Sequence, residues 1–215
     1  MAHIVLCPSF TQNLSKPLAD RLWSLGHSSD AVEYTTDSPS YLVACENSVA
    51  ALLKKHALRK PALVGYSVGG YFAACTAARW PDLISALVLI AAPASLRGAL
   101  SNVSQDFGGS PVEAARRLCE GTSMDAMRLV AELRRLPASR EAEALAPSIQ
   151  VPTLVMAGLR DRVVPPETTL YRRIPDAGLI ELDDDHFMRR SIPTIAERIH
   201  QFLTARDSQD AHAPT

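Results

Sequence analysis

The fold of this chain is decided by the segment ALVGYSVGG at residues 62–70. A short apolar run leads into the pattern Gly65-x-Ser67-x-Gly69, and an alanine-rich helical pattern follows over residues 68–79. Small residues two positions on either side of a serine let a strand and the next helix pass close together at a sharp, strained turn. The turn would present the Ser67 hydroxyl beside the helix N-terminus. We predict that Ser67 is a nucleophile, and the alternative is an ordinary serine in a tight turn.

Short apolar runs alternate with longer helical patterns on both sides of this segment. The alternation predicts an α/β fold, with a mostly parallel sheet of about six strands covered by helices on both faces. The predicted strands are residues 3–7, 31–34, 62–65, 86–91, 153–157 and 179–182. The predicted core helices are residues 16–25, 40–58, 68–79 and 194–205.

The alternation stops between residues 94 and 148, where no convincing strand is found. A Gly/Ser-rich stretch at 101–110 is followed by helical patterns over 112–119, 124–136 and 140–145. We predict that residues 94–148 form a helical cap inserted over one end of the sheet, because this length holds little core of its own. Residues 1–93 and 149–206 would form the core domain. Residues 207–215 would be a disordered tail.

A serine hydroxyl needs a base to take its proton and an acid to orient that base. Asp161 follows the predicted strand 153–157, and His186 follows the last predicted strand. Both therefore fall at carboxyl ends of strands, where parallel sheets place their sites. Asp183 or Asp184 remains an alternative acid. A metal site on Asp183, Asp184 and Asp185 is disfavoured, because three adjacent carboxylates cannot point the same way.

These segments resemble the α/β-hydrolase superfamily over nearly the whole chain. The resemblance rests on Gly65 to Gly70, on the Gly158-x-x-Asp161-x-x-x-Pro165 segment, on His186-Phe187, and on the run from Trp80 to Leu89. Relatives usually begin with two further strands, so the chain looks like a compact member that starts on a later strand. It also has Pro8-Ser9 where relatives commonly carry His-Gly.

The resemblance implies a serine hydrolase with Ser67, His186 and Asp161 as its catalytic residues. The backbone N–H groups of Phe10 and Val68 would form the oxyanion hole, with the hydroxyl of Ser9 or Thr11 as an alternative donor. Phe107 and Phe187 are candidates for the substrate pocket. The Gly108-Gly109 pair would let the cap move.

The expected reaction is cleavage of a small ester, thioester or lactone through an acyl-enzyme. The resemblance implies no metal and no cofactor. One alternative is a non-hydrolytic enzyme of the same fold, such as a hydroxynitrile lyase or a cyclase, although the lyases often carry a lysine at the position of Phe187. A second alternative is a ligand-binding protein without catalysis.

Bulk properties exclude several other functions. With a net charge of −1 and a pI near 6.6, the chain has no basic excess for nucleic acid or a membrane surface. The expected partner is a small-molecule substrate. The apolar cap is the expected contact if two copies form a homo-oligomer. Four widely spaced cysteines without CxxC spacing predict free, buried thiols and a cytoplasmic location. The histidines other than His186 are assigned to surface or packing positions.

Overall fold

A computed structural model describes residues 1–10, 14–35, 38–120 and 124–210, and the side chains of Phe107 and of residues 206–210 lie outside this description. Its centre is a six-stranded sheet in the order β2-β1-β3-β4-β5-β6, with every neighbouring pair parallel. The strands are β1 His3–Cys7, β2 Ser28–Ala31, β3 Ala62–Tyr66, β4 Ala86–Ile90, β5 Thr153–Gly158 and β6 Gly178–Leu182. The prediction of an α/β fold with about six strands is confirmed.

Helices cover both faces of the sheet. In chain order they are α1 Ser15–Ser24, α2 Tyr41–Lys55, α3 Val68–Arg79, α4 Leu96–Phe107, α5 Pro111–Cys119, α6 Ala126–Arg135, α7 Ala142–Leu145 and α8 Ile192–Asp210. The buried side chains of α1 and α8 share one apolar cluster, and those of α2 to α7 share the other. Within the described residues no helix is both long and apolar enough to cross a membrane.

The central strands are buried on both faces, which explains their uninterrupted apolar runs. All five residues of β3 are buried. Leu63 belongs to the cluster beneath α2 and α3, while Ala62 and Val64 belong to the cluster beneath α1 and α8. This alternation follows from the two-residue period of a strand. The sheet is therefore a rigid platform whose carboxyl edge carries Ser67.

Within its described residues the segment 94–148 contains the four α-helices α4 to α7, and the sequence analysis missed the first of them. Helix α4 occupies most of the Gly/Ser-rich stretch. Ser95 caps its N-terminus, and the Ser95 side chain accepts a hydrogen bond from the Gly98 N–H. Leu96, Leu100 and Val103 are buried at helical spacing. Three apolar residues and a serine cap outweigh the weak helix propensity of the residues between them.

The buried carboxylate of Glu141 joins the two ends of this segment. Glu141 is 1% exposed and accepts hydrogen bonds from the Ser95 hydroxyl at 3.2 Å and from the Leu96 N–H at 3.4 Å. The Arg97 guanidinium donates to the same carboxylate at 3.1 Å. The start of α4 is therefore fixed to the start of α7.

Several predicted boundaries differ from the structure, most clearly at β2 and at the end of α8. Strand β2 ends at Ala31, whereas the prediction placed a strand at 31–34. As an edge strand with no fully buried residue, β2 carries no apolar signature. Helix α8 continues to Asp210, past its predicted end at residue 205 and into the segment predicted as a tail, and residues 211–215 lie outside the described part. All four cysteines are buried thiols, as predicted.

Candidate active site

Ser67 lies on the turn between β3 and α3, in a backbone conformation that residues other than glycine rarely adopt. Its φ and ψ are 52° and −123°, and its N–H donates to the Ile90 carbonyl oxygen at 2.9 Å. A Cβ on Gly65 would lie 2.5 Å from the Gly70 Cα and 2.8 Å from the Ala73 Cβ. The absence of side chains at these glycines therefore allows the sharp turn on which Ser67 is held.

The structure brings Ser67, His186 and Asp161 into one hydrogen-bonded chain. The Ser67 Oγ lies 2.9 Å from the His186 Nε2. The His186 Nδ1 lies 2.8 Å from the Asp161 Oδ2. The Asp161 side chain is fully buried and that of His186 is 12% exposed. A proton on Nδ1, facing the carboxylate, leaves Nε2 free to accept the serine proton.

Two backbone N–H groups fix the Asp161 carboxylate. Its Oδ1 accepts hydrogen bonds from the Val163 N–H at 2.9 Å and from the Val164 N–H at 2.8 Å. The neighbouring loop is tied to the His186 loop, because the Arg160 N–H donates to the Asp184 carbonyl oxygen at 3.0 Å. With Oδ1 occupied, Oδ2 is the oxygen that faces the imidazole.

The alternative acids do not contact His186. Asp184 is 3% exposed, and its Oδ2 accepts hydrogen bonds from the Arg190 and Ser191 N–H groups at 3.0 and 2.9 Å. Burial by itself would raise the pKa of Asp184, but the N–H donors outweigh it and lower that pKa. Asp183 is 79% exposed and pairs with Arg160 at 3.4 Å. Asp184 therefore organises the loop that carries His186.

Tyr66 holds the same loop from the sheet. Its hydroxyl donates to the His186 carbonyl oxygen at 2.9 Å. Burial raises the pKa of Tyr66, so the phenol stays protonated and remains a donor. The sequence analysis missed the role of Tyr66, and it considered Asp184 only as an alternative acid. Their one visible signal was their position, directly before Ser67 and two residues before His186.

The loop that carries Phe10 packs against the start of α3. A Cβ on Gly69 would overlap the carbonyl oxygens of Cys7 and Pro8, and the Tyr34 hydroxyl donates to the Pro8 carbonyl oxygen at 3.0 Å. Val68 is the first residue of α3, so its N–H has no partner within the helix.

Phe10 and Val68 line the same cavity as Ser67, and the role of their N–H groups in an oxyanion hole stays a prediction. The alternative donor Thr11 lies outside the described residues.

An apolar cavity adjoins Ser67. Its walls come from the Phe10 loop, α2, the turn into α3, Pro93 with the segment 94–148, and the Asp161 loop. The lining residues are Phe10, Leu42, Ser67, Val68, Pro93, Leu96, Ala99, Leu100, Val103, Leu118, Leu129, Leu133, Val163 and Val164.

Phe187, one of the two predicted pocket phenylalanines, is not among the lining residues of this cavity. It is 42% exposed, and the Arg189 guanidinium lies 5.3 Å from its ring centre. Its contact with a substrate stays a prediction. The side chain of Phe107 lies outside the described residues. The leucines of α4 and α6 supply much of the apolar wall, and the sequence analysis did not name them.

Comparison with known proteins identifies the family to which this fold belongs. A family model described as the alpha/beta hydrolase fold matches residues 25–137, which is more than half of the chain. The chain belongs to the α/β-hydrolase family. A search of proteins with curated functions finds no match to this chain.

Solved structures share the fold of this α/β hydrolase at low identity. The enol-lactonase from Burkholderia xenovorans LB400 has a TM-score of 0.69 at 20% identity, with 94% of this chain and 91% of that chain covered. The esterase domain from a Rhodothermus marinus protein has a TM-score of 0.66 at 17% identity, with coverages of 94% and 85%. Est1E from Butyrivibrio proteoclasticus has a TM-score of 0.71 at 15% identity, with coverages of 96% and 88%.

Proposed function

We propose that this α/β hydrolase is a serine hydrolase that cleaves a small ester, thioester or lactone through an acyl-enzyme intermediate. The observation that carries the proposal is the hydrogen-bonded chain from the Ser67 Oγ through the His186 imidazole to the buried Asp161 carboxylate. Such a chain lowers the barrier to attack by a hydroxyl that is otherwise a weak nucleophile.

Each residue has one role in the proposed reaction. The Ser67 Oγ attacks the carbonyl carbon while the His186 Nε2 takes its proton, and the oxyanion forms beside the Phe10 and Val68 N–H groups. His186 returns the proton to the leaving oxygen or sulfur, and the acyl-enzyme remains. Water then attacks the acyl carbon, gives its proton to His186, and Ser67 is released with the proton back on its oxygen. Asp161 stays ionised throughout and orients the ring.

The cavity supports a substrate whose acyl or alcohol group is apolar. Its lining is aliphatic apart from Phe10 and Ser67, so a charged group there would lose its hydration without a partner. Among the structural neighbours, one is named an enol-lactonase and Est1E has been solved with ferulic acid bound. Enol-lactones and esters of small aromatic acids are therefore the first natural substrates to test, beside p-nitrophenyl esters of increasing chain length.

The test compares hydrolysis of p-nitrophenyl butyrate by the wild type, by Ser67→Ala and by Ser24→Ala. Ser24 is an exposed residue of α1 and serves as the matched control. We expect Ser67→Ala to lose at least about 10³-fold in kcat, since the nucleophile and its base act as a unit. Ser24→Ala should match the wild type. Undiminished turnover by Ser67→Ala would reject the proposed mechanism.

The remaining alternatives predict different outcomes. A non-hydrolytic enzyme would show no turnover of any ester in the screen. A pure binding protein would bind an ester without consuming it.

A further inference from the structure

A second cluster of polar side chains lies at the amino end of β1, away from Ser67. It consists of His3 at the start of β1, Asp30 on the edge strand β2, and His56 directly after α2. The Asp30 Oδ2 lies 3.4 Å from the His3 Nε2 and 2.9 Å from the His56 Nε2. All three ligand atoms fall within 4.8 Å of one another.

The two ring nitrogens are buried and lack hydrogen-bond partners. The His3 and His56 side chains are only 10% and 14% exposed, and neither Nε2 makes a hydrogen bond with any described group. Both nitrogens lie beside the Asp30 carboxylate. Buried polar atoms without partners destabilise a protein, so the arrangement calls for something between the three groups.

The separations match those of a tetrahedral metal site. Zinc binds imidazole nitrogen and carboxylate oxygen at about 2.0–2.2 Å, so ligand atoms on one tetrahedron lie about 3.3–3.6 Å apart. The separation of 3.4 Å between His3 and Asp30 lies in this range, and the separation of 2.9 Å between His56 and Asp30 is somewhat shorter. Three protein ligands of the types His, His and Asp are a donor set that zinc takes in proteins.

The surroundings of His3 prepare its Nε2 as a ligand. The other ring nitrogen, Nδ1, lies 2.8 Å from the Ser28 hydroxyl oxygen, which fixes the ring.

We propose that His3, Asp30 and His56 bind one zinc ion that joins β1, β2 and the end of α2. His3 also lines a cleft of about 860 Å³ together with Ser28, Arg59 and Lys60. The fourth ligand is then a water or a small anion from this cleft, since the adjacent cationic side chains favour negative charge beside the ion. The site lies at the opposite end of β1 from the Phe10 loop, and its role is to fix the edge of the sheet.

The test measures zinc binding to the whole protein after removal of metal with a chelator. Titration with ZnCl₂, against a chromogenic chelator of known affinity, should give one ion per chain for the wild type. His3→Gln, His56→Gln and Asp30→Asn should each lose most of the affinity. Ser28→Ala should lose about tenfold, as expected for a residue that only orients a ligand.

His200→Gln is the matched control. His200 Nδ1 lies 3.0 Å from His27 Nε2, in a histidine pair that shares no residue with the proposed site. This variant should bind zinc like the wild type. Far-UV circular dichroism of each variant reports whether it is folded. Cobalt bound to the wild type should give the intense visible bands of a tetrahedral site, a readout that needs no substitution.

Zinc should also raise the Tm of the wild type and leave the Tm of folded His3→Gln unchanged. No stoichiometric zinc binding by the wild type would overturn the proposal. So would binding that is unchanged in folded His3→Gln and His56→Gln, or that is lost in His200→Gln instead.

Discussion

Replacing Asp161 by Asn separates orientation of the base from support of the loop. The Asp161 Oδ1 accepts two backbone hydrogen bonds, while Oδ2 faces the His186 Nδ1 at 2.8 Å. In the Asn variant, the amide oxygen should keep the two backbone bonds, and the NH₂ group then points at Nδ1. It donates a proton there, so the ring must carry its own proton on Nε2. That tautomer cannot accept the proton of Ser67.

The expected effect on activity is large and the expected effect on stability is small. In triads of this kind the wrong tautomer lowers kcat by about 10⁴-fold. At 1.36 kcal/mol per tenfold change, this is about 5.4 kcal/mol of transition-state stabilisation. The free energy of unfolding should fall far less, because the Val163 and Val164 N–H groups keep an acceptor. Asp161→Ala removes that acceptor and should cost about 1–3 kcal/mol for each buried N–H group that is left without a partner.

The assay is the kcat for p-nitrophenyl butyrate together with urea unfolding of each variant. Asp185→Asn is the matched control, since the Asp185 Oδ1 accepts a hydrogen bond from the Phe187 N–H at 2.9 Å, and an amide oxygen can replace it. The control should stay within about tenfold of the wild-type kcat. A folded Asp161→Asn variant with more than about a tenth of the wild-type kcat would refute the assigned role of this acid.

Three further predictions follow from packing and charge. Gly69→Ala should lower the free energy of unfolding in urea by about 1–3 kcal/mol, because the added Cβ would overlap two carbonyl oxygens. Gly98→Ala in α4, where the added Cβ would lie 3.7 Å from its nearest neighbour, should be neutral or stabilising. Leu100→Ala should cost about 2 kcal/mol, the low end for a leucine beside an existing cavity, and should raise kcat/KM for octanoate relative to butyrate esters by about tenfold. The pKa of Asp184 is lower in the folded than in the unfolded chain, so its contribution is present above about pH 4 and is lost as the pH falls through the folded-state pKa. Asp184→Asn should therefore be less stable at pH 7 and show a weaker acid dependence of unfolding.

The central fold could be predicted because its strands are buried on both faces. Burial of β3 and β4 on both faces forces uninterrupted apolar runs, which a single sequence displays plainly. The edge strand β2 buries none of its residues fully, so its register comes from pairing with β1, where His3 lies opposite Ser28. Pairing between distant segments leaves no local signal, and the predicted position of β2 was shifted for that reason.

Helix α4 was missed because its stability is tertiary. Its sequence is rich in Ser and Gly. Its buried side chains include Leu96, Leu100 and Val103, which lie about one helical turn apart. These contacts, and the fixation of its first turn by Glu141, depend on segments that are distant in the chain. Propensity alone cannot anticipate them.

The order Ser67, Asp161, His186 could be predicted because each residue follows a strand, and parallel strands end at one edge. The choice of Asp161 over the alternative acids Asp183 and Asp184 needed the structure, since it depends on which carboxylate faces the His186 Nδ1. The cavity wall also needed the structure, because it draws on residues from five parts of the chain.

The most direct test of the central claim is the site of covalent labelling by a fluorophosphonate, read by intact mass and peptide mapping. We predict one adduct per chain, on Ser67, and no adduct in Ser67→Ala. Labelling of Asp161→Asn should be strongly slowed, because the His186 imidazole in this variant no longer accepts the serine proton. Labelling of another residue, or ester hydrolysis that continues undiminished in Ser67→Ala, would contradict it.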